Sequence, residues 1–129
     1  MLAQEESTAT QTKSIVNDFT FQAATINGSG SQSSNLIIAR TIFSMGVPVS
    51  PKNVFPSNIE GLPTWFSIRL SPDGYQCRTD DVDVLVALNP TTWQRDIQGV
   101  NGDAAVIHEA TYPVVGNMKR SDVHYYAVP

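Results

Sequence analysis

The apolar positions of this chain follow two periods, one typical of β-strands and the other of an α-helix. Residues 64–71 alternate strictly, so that Phe66, Ile68 and Leu70 share one face of a predicted strand. Residues 33–45 carry apolar side chains at helical spacing, and Gly46 follows where a helix is expected to be capped. The two apolar stripes of this predicted helix are Leu36, Ala39, Phe43 and Ile38, Ile42, Met45.

Further short apolar runs, bounded by glycine, proline or asparagine, predict the remaining strands. They lie at residues 19–27, 47–49, 82–88, 104–107 and 123–128. The run at 82–88 is the most hydrophobic of them, and its shortness and β-branched content are typical of a buried parallel strand. The strand–helix–strand order indicates an α/β sandwich with a mostly parallel sheet.

The connections between these elements are predicted from their turn residues. Residues 50–63 contain three prolines, two asparagines and one glycine, which predicts a long loop. After the turn at residues 72–74, residues 75–78 are expected to pair back as a hairpin. A short helix is expected to start at Thr91 or Thr92 and to run through Trp93 and Ile97.

The two ends of the chain differ in composition from its middle. Residues 1–18 are dominated by Gln, Glu, Ser and Thr, which predicts a polar N-terminal tail and a domain spanning residues 19–129. The last predicted strand ends at Pro129 with no helix to cover it. We therefore expect the domain to be incomplete at its C-terminus.

Length and charge narrow the classes of function. A chain of 129 residues is large enough for one hydrophobic core. Its formal net charge of −4 argues against a nucleic-acid partner. No apolar run approaches the roughly 18 residues that a membrane span needs, and no apolar region typical of an export signal is found. A cytoplasmic protein is predicted. Charged residues are only 16% of the chain, so a partner is expected to cover part of the surface, including Trp65 and Trp93.

Few residues are candidates for metal or acid–base chemistry. Cys77 is the only cysteine, which excludes an internal disulfide, a zinc ribbon and a self-contained iron–sulfur site. His108 and Glu109 are adjacent and are expected to point to opposite faces of a strand. The aspartates Asp80, Asp81 and Asp83 lack a third ligand at metal spacing. No catalytic residue and no metal ligand is predicted.

The strongest local signal is the segment Gly28, Ser29, Gly30, Ser31, Gln32 and Ser33, which we call the glycine segment. It links a predicted strand to a predicted helix, where glycine permits close approach and free N–H groups attract phosphate or carboxylate. As a dinucleotide fingerprint it lacks the third glycine, since Ser33 stands there, and no acidic residue follows near Ser50. A tight turn, an anion site and a classical NAD site all remain open. Separately, Arg69 beside Trp65 is a candidate interface or anion contact.

Three blocks of sequence resemble the gamma domain of 2-oxoacid:ferredoxin oxidoreductases, in the right order over roughly residues 19–110. They are the glycine segment, residues 60–71 (Glu-Gly-Leu-Pro-Thr-Trp-Phe-Ser-Ile-Arg-Leu-Ser) and residues 81–89 (Asp-Val-Asp-Val-Leu-Val-Ala-Leu-Asn). The chain departs from the family where Ser31 and Ser33 replace glycines and where Glu60-Gly61-Leu62 replaces Arg-Gly-Gly. The similarity is greatest to the N-terminal part of a fused 2-oxoglutarate-type subunit.

The resemblance implies a Rossmann-like three-layer sandwich and a part in a larger enzyme. That enzyme oxidatively decarboxylates a 2-oxoacid, 2-oxoglutarate being favoured and pyruvate the other choice, to acyl-CoA and reduces ferredoxin. Thiamine diphosphate, Mg²⁺ and 4Fe–4S clusters are implied on other domains or subunits, so that this domain alone is inactive. Its implied partners are the alpha and beta parts of the enzyme. Its implied role is to cover the active site and to contact coenzyme A, through the glycine segment and Arg69. The alternatives are a Rossmann-like nucleotide-binding module and a purely structural interaction module.

Overall fold

Six strands and two α-helices form the part of the chain that the structure describes. The computed structural model describes residues 15–54, 62–77 and 79–129. In chain order the elements are β1 Phe19–Ile26, α1 Ser31–Ser44, β2 Val49–Val54, β3 Pro63–Leu70, β4 Val84–Ala87, α2 Trp93–Gln98, β5 Ala105–Glu109 and β6 His124–Val128. A single 3₁₀ turn over Gly116–Met118 precedes β6. Within the described ranges neither helix is long and apolar enough to cross a membrane.

The strands form one mixed sheet in the order β2-β3-β1-β4-β5-β6. Strand β3 is antiparallel to both of its neighbours, β1 and β2, whereas β1, β4, β5 and β6 pair in parallel. Five of the six strands therefore run in the same direction, and the expected mostly parallel α/β sheet is confirmed. Their carboxyl ends meet at one edge of the sheet, together with the start of β3.

The two helices cover opposite faces of the sheet and so build two cores. On the α1 face, Ala39 packs with Ala23 of β1 and with the predicted stripe of β3. On the α2 face, Trp93 and Ile97 pack on β4 and β5 residues such as Leu85 and Val106. The expectation that Trp93 is exposed is wrong, because its indole is buried and donates a hydrogen bond to the Pro113 carbonyl.

Part of the α1 face has no helix over it. Helix α1 lies mainly over β1, β2 and β3, and among the described residues no helix packs extensively on β5 and β6 on that side. The face presents Val86, Ile107, Tyr126 and Val128, which are half-buried or exposed. We call these four residues the open face.

Helix α1 differs in two ways from the pattern expected of it. It starts at Ser31, two residues earlier than expected, and its buried residues are Asn35 and Ala39. Phe43 of the predicted apolar stripes is 71% exposed, because only the row through Asn35 and Ala39 meets the sheet. The C-terminal cap is confirmed, since Gly46 adopts a φ of 83° and its N–H donates to the Phe43 carbonyl, as in a Schellman motif.

Two other expectations about connections are wrong. Residues 50–54 of the predicted loop belong to β2, and Pro51 is tolerated there because β2 lies at the edge of the sheet. Residues 75–77 form no strand, so the predicted hairpin is absent from them. The polar tail at residues 1–14, the rest of the predicted loop at residues 55–61 and residue 78 lie outside the described residues.

Arg120 joins α2 to the segment before β6. Its Nη1 donates to the carbonyls of Ile97 and Val100, each at 2.9 Å, at the C-terminal end of α2. Its Nε and Nη2 donate to the Asp122 carboxylate at 3.0 and 2.8 Å. This ion pair lowers the pKa of Asp122 from its usual value, chiefly through the hydrogen bond from Arg120.

Candidate functional site

The glycine segment lies at the carboxyl edge of the sheet, between the end of β1 and the first turn of α1. Strands β1 and β4 are neighbours, and the helices that follow them lie on opposite faces. The segment is therefore at a topological switch point, where open α/β sheets form a crevice that binds ligands.

Two glycines give the segment its shape. Gly28 and Gly30 have φ angles of 87° and 80°, in the left-handed region that other residues avoid. A Cβ atom added at either position meets no atom within 4 Å. The glycines are needed for backbone conformation, and the space beside them is open.

The start of α1 presents free donors to this space. Gly30 is the N-cap residue, so no side-chain oxygen caps the first turn, and that turn contains no acidic residue. The N–H groups of Ser31, Gln32 and Ser33 therefore lack a partner within the helix. Together with the helix dipole they favour a negatively charged or acceptor group at this end.

Hydrogen bonds anchor the segment to three strands. The Asn27 N–H donates to the Leu62 carbonyl at 2.8 Å, which ties the segment to the start of β3. The hydroxyls of Thr25 and Ser31 bond at 2.7 Å, and buried Asn89 donates from Nδ2 to the Thr25 carbonyl at 3.2 Å. The anchor Asn89 was missed in the sequence, although an asparagine directly after a buried strand is a usable signal.

A cavity lies on each side of the segment. The β3-side cavity, about 290 Å³, is bounded by the segment and by Asn53, Thr64 and Phe66. The β4-side cavity, about 330 Å³, lies between α1 and the strands β1 and β4, where Asn35, Val86 and Leu88 line it. No lysine or arginine lines either cavity among the described residues, so an anion there would be held by N–H groups and hydroxyls.

Asn35 is the unusual side chain of the site. It is 6% exposed, on the row of α1 that faces the sheet, and its Nδ2 has no partner among the described residues. An unpaired buried donor of this kind costs about 1–3 kcal/mol. Asn35 gives no signal in the sequence, because apolar spacing marks the sheet-facing row of a helix and Asn35 is polar.

The structure does not bring Arg69 to the glycine segment. Arg69 pairs with Thr20 at the start of β1, so the two are roughly 25 Å apart along the strand. Its Nη2 forms an ion pair with Asp18 at 2.6 Å, and its Nη1 donates to the Leu70 carbonyl at 2.6 Å. Arg69 thus links the start of the domain to β3, and the candidate residues fall into two separate places.

The other candidate groups have structural partners. His108 is buried, stacks on Trp93 at a centroid distance of 4.8 Å and points away from the face of Glu109, as expected. The Glu109 carboxylate accepts a hydrogen bond from the Thr111 hydroxyl. Burial is the main cause that raises the pKa of Tyr112, and the negative charge of Glu109 is the second cause. Asp83 accepts from the Thr20 N–H and from Asn101. Within the described ranges, His, Cys, Asp and Glu form no group of three suited to a metal.

Among the described residues, the cavities beside the glycine segment bring donors together without a base to activate a hydroxyl. This arrangement suits binding of a ligand better than a proton-transfer step. Residues 21–129 match the family model described as pyruvate ferredoxin/flavodoxin oxidoreductase. The chain belongs to this oxidoreductase family. The family resemblance found in the three sequence blocks is confirmed.

Solved structures of this oxidoreductase class share the fold. The 2-oxoglutarate:ferredoxin oxidoreductase of Magnetococcus marinus, solved with 2-oxoglutarate, coenzyme A and succinyl-CoA bound, aligns with a TM-score of 0.75 and 24% identity over 89% of this chain and 20% of that chain. The gamma subunit of a keto/oxoacid ferredoxin oxidoreductase from Geobacter sulfurreducens aligns with a TM-score of 0.65 and 13% identity, over 84% of this chain and 60% of that one.

A pyruvate oxidoreductase subunit from Thermotoga maritima gives a TM-score of 0.62 and 16% identity, over 76% of this chain and 53% of that one. This chain of the oxidoreductase family therefore spans only part of each of these solved chains, from one fifth to three fifths. No curated protein sequence matches it in a direct comparison.

Proposed function

We propose that this chain is the gamma domain of a 2-oxoacid:ferredoxin oxidoreductase and that its glycine segment contacts coenzyme A. The observation that carries the proposal is the uncapped start of α1 behind two left-handed glycines, in a chain of this enzyme family. The Magnetococcus marinus relative was solved with coenzyme A and succinyl-CoA. The preferred substrate is 2-oxoglutarate, with pyruvate as the second choice.

The phosphates of coenzyme A are the groups that the glycine segment is suited to bind. A helix start carries a partial charge of about +0.5 and several aligned N–H donors, which suit a phosphate oxygen. Because no cation lines the cavities among the described residues, the contact is a positioning contact of modest strength. It would hold one end of coenzyme A while the thiol reaches the acyl group elsewhere in the complex.

The remaining cofactors belong to other parts of the enzyme in this proposal. A 4Fe–4S cluster takes four cysteine ligands, and this chain has one cysteine, so it does not fit a cluster by itself. Thiamine diphosphate, with its Mg²⁺, supplies the carbanion chemistry of decarboxylation when bound to the alpha and beta parts. The chain alone is then inactive, and ferredoxin is the electron acceptor of the whole complex.

The test replaces Gly30 by Val in the oxidoreductase assembled with its other subunits. A side chain at φ 80° costs about 1–2 kcal/mol and distorts the start of α1. We expect acyl-CoA formation in a single turnover to slow about tenfold, as for one lost charge-assisted hydrogen bond, while decarboxylation changes little. Rapid-quench measurement of both steps checks this.

The matched control is Gly46→Val, at the other end of the same helix. Gly46 has a φ of 83°, and a Cβ atom there also meets nothing within 4 Å, so the backbone strain is the same. We expect Gly46→Val to leave the ratio of the two steps unchanged. Equal loss of both steps in Gly30→Val, with normal assembly, would mean that the glycine segment is only a turn.

A further inference from the structure

The β4-side cavity contains a donor that the fold itself does not use. Asn35 reaches it from the sheet-facing row of α1, is 94% buried (6% exposed) and keeps Nδ2 unpaired among the described residues. The hydroxyls of Thr25 and Ser31, which line the same cavity, bond each other at 2.7 Å. Among the described residues, Asn35 Nδ2 therefore gains an acceptor only from a molecule that enters the cavity.

The rest of the cavity lining is mainly apolar. The aliphatic surface comes from Ala23, Ile26, Val86 and Leu88. Near the start of α1 the cavity is lined by Ser29, Ser31 and Ser34. A polar residue on the buried row of a helix is usual where it has a fixed partner. Here it faces aliphatic side chains, so the lining as a whole suits an aliphatic group that carries one acceptor oxygen.

We propose that the β4-side cavity binds an uncharged aliphatic chain bearing an amide carbonyl, whose oxygen accepts a hydrogen bond from Asn35 Nδ2. The pantetheine arm of coenzyme A has this chemistry, and in that form the inference rests on the proposed function of the glycine segment. The phosphate end then lies at the α1 start and the amide-bearing arm in the β4-side cavity. The two halves of one ligand are held by different groups on the two sides of Gly30.

The experiment measures binding of three probes to the native complex by calorimetry: coenzyme A, pantetheine, and adenosine 3′,5′-bisphosphate. Asn35→Leu removes the donor and keeps the side-chain size, and Asn35→Asp keeps the shape and replaces the donor by an acceptor. We expect both variants to weaken pantetheine and coenzyme A about tenfold, as for one lost hydrogen bond, and to leave adenosine 3′,5′-bisphosphate unchanged. Asn35→Leu is expected to unfold at no lower temperature than the wild type.

Thr41→Val on the same helix is the control, since the Thr41 hydroxyl donates to the Ile37 carbonyl at 2.9 Å and is exposed. It is expected to bind all three probes normally. Pantetheine binding that is absent in the wild type, or equal in the wild type and Asn35→Leu, overturns the inference. So does a large loss of thermal stability in Asn35→Leu together with loss of all three probes. If Gly30→Val leaves adenosine 3′,5′-bisphosphate binding intact, the proposed role of the glycine segment fails instead.

Discussion

A single side chain, Arg120, links the C-terminal end of α2 to the segment before β6. Helix α2 ends after Gln98, and two carbonyls at its end accept from the Arg120 guanidinium. The remaining nitrogens of the fork hold Asp122 just before β6. Lysine has no such planar fork, so arginine is required to serve both sides at once. The local sequence around Arg120 does not signal the link to α2, because the two carbonyls that it binds lie 23 and 20 residues away.

This ion pair makes stability depend on pH in a defined direction. The pKa of Asp122 is lowered in the folded state from its usual 3.8, so its carboxylate stabilises the fold above that value, and the contribution is lost as pH falls through the lower, folded pKa. We expect Asp122→Asn to be less stable than the wild type at pH 6–7, with a gap that closes below about pH 4. Urea unfolding at several pH values measures it.

A double variant tests whether this pH dependence comes from the ion pair between Arg120 and Asp122. In an Arg120→Met background the partner of the carboxylate is gone, so Asp122→Asn is expected to add no further pH-dependent loss. A gap between wild type and Asp122→Asn that stays constant from pH 7 to pH 3 would contradict the assignment.

At the scale of the elements, strands were easier to foresee than the helix. Strand β3 follows from its period of two, and β4 from its short β-branched run, although only its α2 face, with Leu85 and Ala87, is fully buried. The buried face of α1 could not be foreseen, because the helix carries apolar residues nearly all round and the sheet decides which row is covered. The loop at residues 50–54 became β2 because β3 offered it a partner strand.

Two neighbouring residues of β4 test the difference between the two sheet faces. Leu85 is 0% exposed under α2, whereas Val86 belongs to the open face. We expect Leu85→Ala to lower the free energy of unfolding by about 2–5 kcal/mol, and Val86→Ala to lower it by well under half as much. Chemical denaturation of the chain measures both. Similar losses for the two variants would mean that the open face is covered in the isolated chain.

At the scale of the whole molecule, the sequence predicted where the candidate site lies better than it predicted which side chains line it. The glycine segment was recognised from residue types and its position between a strand and a helix. Its division into two cavities depends on the order of the strands, which no local pattern reveals. Asn35 and Asn89 were missed for the same reason, since a polar residue gains its meaning from neighbours across the sheet. Arg69 was grouped with the segment by chemistry alone, and the direction of β3 separates them.

The low content of charged residues predicted a surface covered by a partner, and the open face is the region where we expect it. Tyr126 belongs to the open face and is 55% exposed on the edge strand β6. Tyr126→Asp should reduce assembly with the other subunits, because burial of a charge in an apolar interface is unfavourable. Light scattering after size-exclusion chromatography measures the assembled fraction.

Tyr75→Asp is the matched control for that prediction. Tyr75 is 64% exposed on the segment after β3, away from the open face, so its replacement is expected to leave assembly intact. Normal assembly of Tyr126→Asp would show that the partner covers another surface.

The two edge strands of the sheet differ in how readily they can pair with a further strand, and this difference limits how copies of the chain can associate. Strand β2 carries Pro51, which lacks an N–H, and Lys52, whose charge resists a neighbour, whereas β6 presents an uninterrupted row of peptide groups. Among the described strands, a foreign strand can therefore add at one margin only. In a dimer joined through β6, both outer edge strands would be β2, which pairs poorly with a further strand. The sheet would then not extend beyond the two copies. Among the described strands, strand addition between copies of this chain is therefore expected to stop at a dimer and not to continue into a fibril.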